Sequence, residues 1–102
     1  MKIDKIEKTI FKAVDEINIQ LSNNKQLTKS VKTVLYGKNG QLDSLGLVNL
    51  IVIIEQNIED EFDKNIIIAD ERAMSQKHSP FKTINSLANY IHILLKEMDE
   101  NN

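Results

Sequence analysis

Ile3, Ile6, Ile10, Val14, Ile17 and Leu21 fall at intervals of three and four, the spacing that lays one apolar stripe along an amphipathic helix. Asp4-Lys5-Ile6-Glu7 reads as a capping box that starts this helix near residue 4, and Ser22-Asn23-Asn24 ends it. The stripe belongs to a core, since Asp15 and Glu16 argue against a helix lying on a membrane surface. Residues 22–42 then form a long connection in which Leu27 and Leu35 are the expected buried anchors. Gly37-Lys38-Asn39-Gly40 is a turn signal, and a short helical turn fits residues 29–35. A connection this long packs on itself or serves a function.

From Leu42 the pattern changes. Asp43 and Ser44 are both N-cap residues, and a sustained apolar run without Pro follows. A second helix over residues 44–61 is expected, about 27 Å long. Leu47, Leu50, Ile51, Ile54 and Ile58 make a core stripe that continues toward Phe62. Leu45, Val48 and Val52 make a second apolar stripe, which turns polar at Glu55, Gln56 and Glu59. A surface helix needs one such stripe. The second one implies either full burial near Ser44 or a contact surface.

Ile66-Ile67-Ile68 has strand propensity but no partner strand pattern, so it reads as an extended apolar connector. Asp70 to Met74 fits a short third helix capped by Asp70, residues 75–79 read as loop, and Pro80 begins a turn. Thr83 caps the last helix, with Ile84, Leu87, Ile91, Leu94 and Leu95 facing inward, and Asp99-Glu100-Asn101-Asn102 is a polar tail. The expected fold is all-α, a four-helix bundle with three longer helices and a short third one. Its 102 residues form a single domain, frayed over residues 1–3 and 97–102.

Composition agrees with a soluble globular chain, at 41% apolar and 27% charged residues with only three Gly and one Pro. No cysteine is present, which excludes disulfides, thiolate metal sites and a cysteine nucleophile. The amino terminus lacks a secretory apolar segment, and the longest apolar run, Leu50 to Ile54, is far too short to span a bilayer. A cytoplasmic protein that engages no membrane is therefore expected. Charge is unevenly spread: residues 1–38 hold eight Lys against four acids, and residues 39–63 hold six acids with no Lys or Arg. The acidic block coincides with the Ser44 helix and suits steering of a basic partner. The amino-terminal lysines are not interleaved with aromatics, which argues against nucleic acid.

Enzyme signatures are lacking. His78 and His92 share no metal-ligand spacing, and no G-x-S-x-G elbow surrounds Ser44. Neither a P-loop nor a dinucleotide glycine fingerprint occurs. Asp60 to Asn65 lacks the central Gly and terminal Glu spacing of an EF-hand. Two readings of Ser44 follow from the residues. In one, its hydroxyl caps the helix. In the other, it presents an attachment point for a phosphate-bearing group, where free N–H groups and the helix dipole favour the negative charge.

Asp43-Ser44-Leu45-Gly46 with Val48 and Leu50, the apolar helix and the acidic Glu59-Asp60-Glu61-Phe62-Asp63 resemble the phosphopantetheine attachment region of acyl carrier proteins. Phe81 to Ile91 is similar to that family's last helix, and the resemblance covers about residues 3 to 95. It implies a stand-alone carrier without catalysis of its own, of the acyl-carrier four-helix type. It also implies a 4′-phosphopantetheine arm, taken from coenzyme A and attached covalently to Ser44, between Asp43 and Leu45. That arm would hold an acyl intermediate as a thioester for fatty-acid-like, polyketide-like or other specialised biosynthesis. The implied partners are a phosphopantetheinyl transferase and acyl-loading and acyl-transferring enzymes, met by a monomer through Leu45, Val48, Val52, Glu55, Gln56 and Glu59. A cargo chain would be sheltered near Ile54, Ile68 and Ile84.

The chain departs from the family pattern at several places. Gln41 stands where the family often has Gly three residues before the serine, with Gly40 one position earlier. Gly46 and Asn49 replace the acids that fatty-acid carriers usually place two and five residues after it. The second helix is about one turn longer before Phe62, and residues 75–80 read as an insertion. These departures point to a specialised pathway. A peptidyl or aminoacyl carrier is an alternative, as is a helical interaction domain in which Ser44 is only a cap.

Overall fold

The computed structural model of the chain describes residues 2–37, 40–69 and 80–100, and three α-helices organise them. Helix α1 spans Lys2–Asn18, α2 spans Ser44–Phe62 and α3 spans Ile84–Glu100. No strand occurs among the described residues; Val34 and Thr83 form one isolated antiparallel bridge. The architecture is all-helical. The short helix expected at residues 70–74, the loop at 75–79 and His78 lie outside the described residues.

Helix α1 begins two residues before the expected start at Asp4. The extra residues place Ile3, the first of the expected stripe, inside the helix, where it packs against the core, and leave Asp4 in the first turn, where its carboxylate complements the positive end of the dipole. The helix also ends earlier than Leu21. The Asn18 side chain explains this: its amide donates to the Leu27 carbonyl at 2.9 Å, and its oxygen accepts the Leu27 N–H at 2.8 Å. That pair of hydrogen bonds to the Leu27 backbone turns the chain and seats Leu27 in the core.

Helix α1 packs against both α2 and α3. Its residues Ile6, Ile10, Ala13, Val14 and Ile17 join Leu47, Leu50, Ile51, Ile54 and Ile58 of α2 and Ile84, Leu87, Ile91 and Leu95 of α3 in one core. Leu94 packs on its edge, as does Phe62. Tyr90 and Ala88 are buried too, so α3 has a broader inward face than five residues predict. At the polar margin of the α1–α2 seam, the buried Asn57 donates to Glu16 at 3.1 Å.

The connection from α1 to α2 is tied down along its length. A 3₁₀ turn sits at Asn23–Lys25, whereas residues 29–35, expected to be a short helical turn, lie against the start of α3 instead. Leu35 N–H donates to Lys82 O at 2.7 Å, Ile84 N–H to Thr33 O at 3.1 Å and Asn85 N–H to Val31 O at 2.8 Å. Two N–H groups that a helix start leaves unpaired are thus satisfied by the connection. Thr83 and Ser86 complete the start reciprocally: Ser86 N–H donates to Thr83 Oγ1, and Thr83 N–H donates to Ser86 Oγ, both at 3.0 Å. The expected cap at Thr83 is present.

At the other end α3 continues through Glu100 rather than giving way to a tail at Asp99. Asp99 pairs with Lys64 at 3.4 Å, joining the end of α3 to the segment that leaves α2. Ile66 and Ile68 are buried and Ile67 is exposed, the alternation of an extended connector.

Candidate functional site

The site is the start of α2 and the loop folded over it. Asp43 is the N-cap: its extended backbone precedes the helix, its Oδ1 accepts the Gly46 N–H at 2.7 Å, and its carbonyl accepts the Leu47 N–H at 2.9 Å. Ser44 is therefore the first helical residue, and the reading in which its hydroxyl caps the helix is corrected. Asp43 reaches the Gly46 N–H, and geometry leaves Ser44 Oγ pointing elsewhere. Among the described residues, the N–H groups of Ser44 and Leu45 have no protein acceptor, so they remain open to solvent or to an anion.

Ser44 is exposed, and its Oγ lies 3.1 Å from the hydroxyl of Tyr36. The sequence reading did not single out Tyr36. Leu35, just before it, is fully buried, and the Leu35 carbonyl accepts the Leu42 N–H at 3.0 Å. Those two residues close a loop that begins with Tyr36. Within it, Gly40 N–H donates to Gly37 O at 2.9 Å, and Gly37 takes a φ of 93°, a conformation glycine adopts without strain. The signal available in the sequence was the bracketing of Tyr36 and Gly40 by Leu35 and Leu42.

The second apolar stripe of α2 is not buried. Leu45 is 70% exposed, Val48 53% and Val52 58%, which decides between the two explanations of that stripe in favour of a surface. Gln56 and Glu59 continue the same face and are exposed. Glu55 differs. It is half-buried and its Oε2 accepts the Ile68 N–H at 2.8 Å, so this carboxylate anchors the connector after α2. Glu55 lies one turn after Val52 on the helix, and Ile67, next to the bonded Ile68, is 69% exposed.

The acidic block is divided. Asp43 stands at the start of α2, whereas Glu61 at its other end shares a shallow recess with Lys5, Lys8, Thr9 and Lys12 of α1. Part of the acidic end of α2 thus faces the lysines within the same chain. Ile54, Ile68 and Ile84 are each fully buried in the common core. His92 is half-buried on α3. Among the described residues no three His, Cys, Asp or Glu side chains converge as a metal site, and no helix is long and apolar enough to cross a membrane.

Compared with family models, curated proteins and solved structures, the chain matches none.

Proposed function

We propose that this chain is an acyl carrier protein that receives a 4′-phosphopantetheine arm on Ser44. The observation that carries the reading is the state of that serine: exposed, first in its helix, and relieved of capping by Asp43. Two neighbouring N–H groups and the positive end of a helix of 19 residues complement a phosphodiester formed there. The residues present fit the group. In the attachment step, Ser44 Oγ bonds to the pantetheine-side phosphorus of coenzyme A. The bond from that phosphorus to the bridging oxygen breaks, adenosine 3′,5′-bisphosphate leaves with the electron pair, and the hydroxyl proton passes to a base of the transferase. The arm supplies the thiol that carries acyl cargo, which a chain without cysteine cannot provide.

The rest of the chain presents the serine. Leu45, Val48 and Val52 offer a narrow apolar strip beside it, with Gln56 and Glu59 at its polar end, suited to brief contacts with transferase and acyl-handling enzymes. A short helix at residues 70–74 would complete a four-helix bundle, and the departures at Gln41, Gly46 and Asn49 favour a specialised cytoplasmic pathway. Incubating the purified chain with coenzyme A and a broad-specificity phosphopantetheinyl transferase should add one arm by intact mass. No addition, or an addition that persists in Ser44→Ala, overturns the reading.

A further inference from the structure

We infer that Tyr36 is a positioning residue for Ser44, holding its hydroxyl for arm transfer and then donating a hydrogen bond to the phosphodiester oxygens. The inference rests on the reading of Ser44 as the attachment serine.

Three observations support it. First, the Tyr36 hydroxyl is the sole hydrogen-bond partner of Ser44 Oγ among the described residues, at 3.1 Å. Second, Tyr36 is held in place from its backbone. Leu35 is buried and bonded on both sides, by its N–H to Lys82 O at 2.7 Å and by its carbonyl from Leu42 N–H at 3.0 Å. Gly40 lies so close beneath Tyr36 that a Cβ there would meet its backbone atoms at 2.6 to 2.7 Å. Third, stability does not call for this pair. Both residues are exposed, and water replaces such a bond at little cost.

The chemistry of the step then assigns the direction of the bond. In the unmodified chain either hydroxyl can donate. Because the Ser44 proton goes to the transferase base during transfer, Tyr36 is the donor in the reacting arrangement, its O–H occupying one lone pair of Oγ and leaving the other for the incoming phosphorus. After transfer Oγ is an ester oxygen without a proton, so only Tyr36 can donate. Its acceptor then belongs to an anion, which strengthens the bond. Tyr36 and the N–H groups of Ser44 and Leu45 would together supply donors from two directions.

Tyr36→Phe removes the hydroxyl and keeps the ring, so a packing role would survive it. With transferase and coenzyme A, this variant should show kcat reduced roughly tenfold at unchanged KM, the scale of one lost hydrogen bond near developing charge. Its unmodified form should melt as wild type does, and its modified form should give a displaced 31P resonance. Labelling the wild-type sequence with 3-fluorotyrosine gives a second readout that needs no variant. Arm attachment should move the 19F signal of Tyr36 and leave that of the buried Tyr90. Wild-type kcat together with an unmoved 31P signal in Tyr36→Phe overturns the inference while leaving the carrier reading intact, as does an unmoved Tyr36 19F signal in modified protein. Failure of wild type to accept the arm overturns both.

Discussion

Asp43 Oδ1 accepts the Gly46 N–H at 2.7 Å, and this bond gives the capping role to Asp43 and leaves the neighbouring Ser44 hydroxyl outside the cap. Removing the cap by Asp43→Ala should cost about 1 kcal/mol. Ser44→Ala, by contrast, should leave urea-induced unfolding within about 0.5 kcal/mol of wild type, as exposed substitutions outside caps and cores do. Equal losses in the two variants would contradict the assignment of Asp43 as the cap.

Gly40 is required by close approach. Because an added Cβ would sit 2.6 to 2.7 Å from Tyr36 backbone atoms, Gly40→Ala must push the Tyr36 backbone away. The expected loss is about 1–3 kcal/mol, as for other overpacked sites. Chemical shifts of Tyr36 and Ser44 should move together in this variant. A Gly40→Ala protein with wild-type melting and unmoved Tyr36 shifts would refute the close packing.

Asn18 holds both polar groups of the Leu27 backbone. Asn18→Ala should cost about 1–3 kcal/mol, since it strands two partly buried groups at once. Asn18→Asp keeps an acceptor for the Leu27 N–H but sets a carboxylate against the Leu27 carbonyl, and should fare no better. Amide exchange at Leu27 is the local readout, and it should accelerate in both variants.

Asp63 follows the last turn of α2 in a left-handed conformation, with φ 54° and its N–H bonded to Glu59 O at 2.9 Å. Glycine adopts that conformation without the Cβ penalty. Asp63→Gly should therefore raise stability by about 0.5–1 kcal/mol, the scale of a relieved left-handed residue. A clear loss on thermal unfolding would show that the Asp63 side chain contributes something beyond its backbone geometry.

The helices were legible because their periodicity is redundant: each inward stripe is carried by four or more apolar residues. Boundaries were less so. Asn18 ends α1 through bonds to a residue nine positions away, and residues 29–35 follow the carbonyl demand of the α3 start, which lies about fifty residues further along. Local pattern carries neither fact. At the site, the second stripe of Leu45, Val48 and Val52 could be found from spacing, but its exposure could not, and Ser44 was singled out by resemblance to acyl carrier proteins and not by pattern. Which of Asp43 and Ser44 caps the helix could not be found either, because both are favourable there. Glu55 was grouped with the exposed face by spacing, yet its carboxylate is engaged by the Ile68 N–H. Tyr36 depends on a loop closure between Leu35 and Leu42 that periodicity does not register.

The central claim is that one particular oxygen accepts the arm, in a chain that has six serines. Fragmentation mass spectrometry of the full-length protein, after reaction with coenzyme A and a phosphopantetheinyl transferase, tests it most directly. The account predicts a single phosphopantetheine on the fragment containing Ser44 and none on any other. Modification at a different serine, or an unmodified Ser44 after exhaustive reaction, would contradict it.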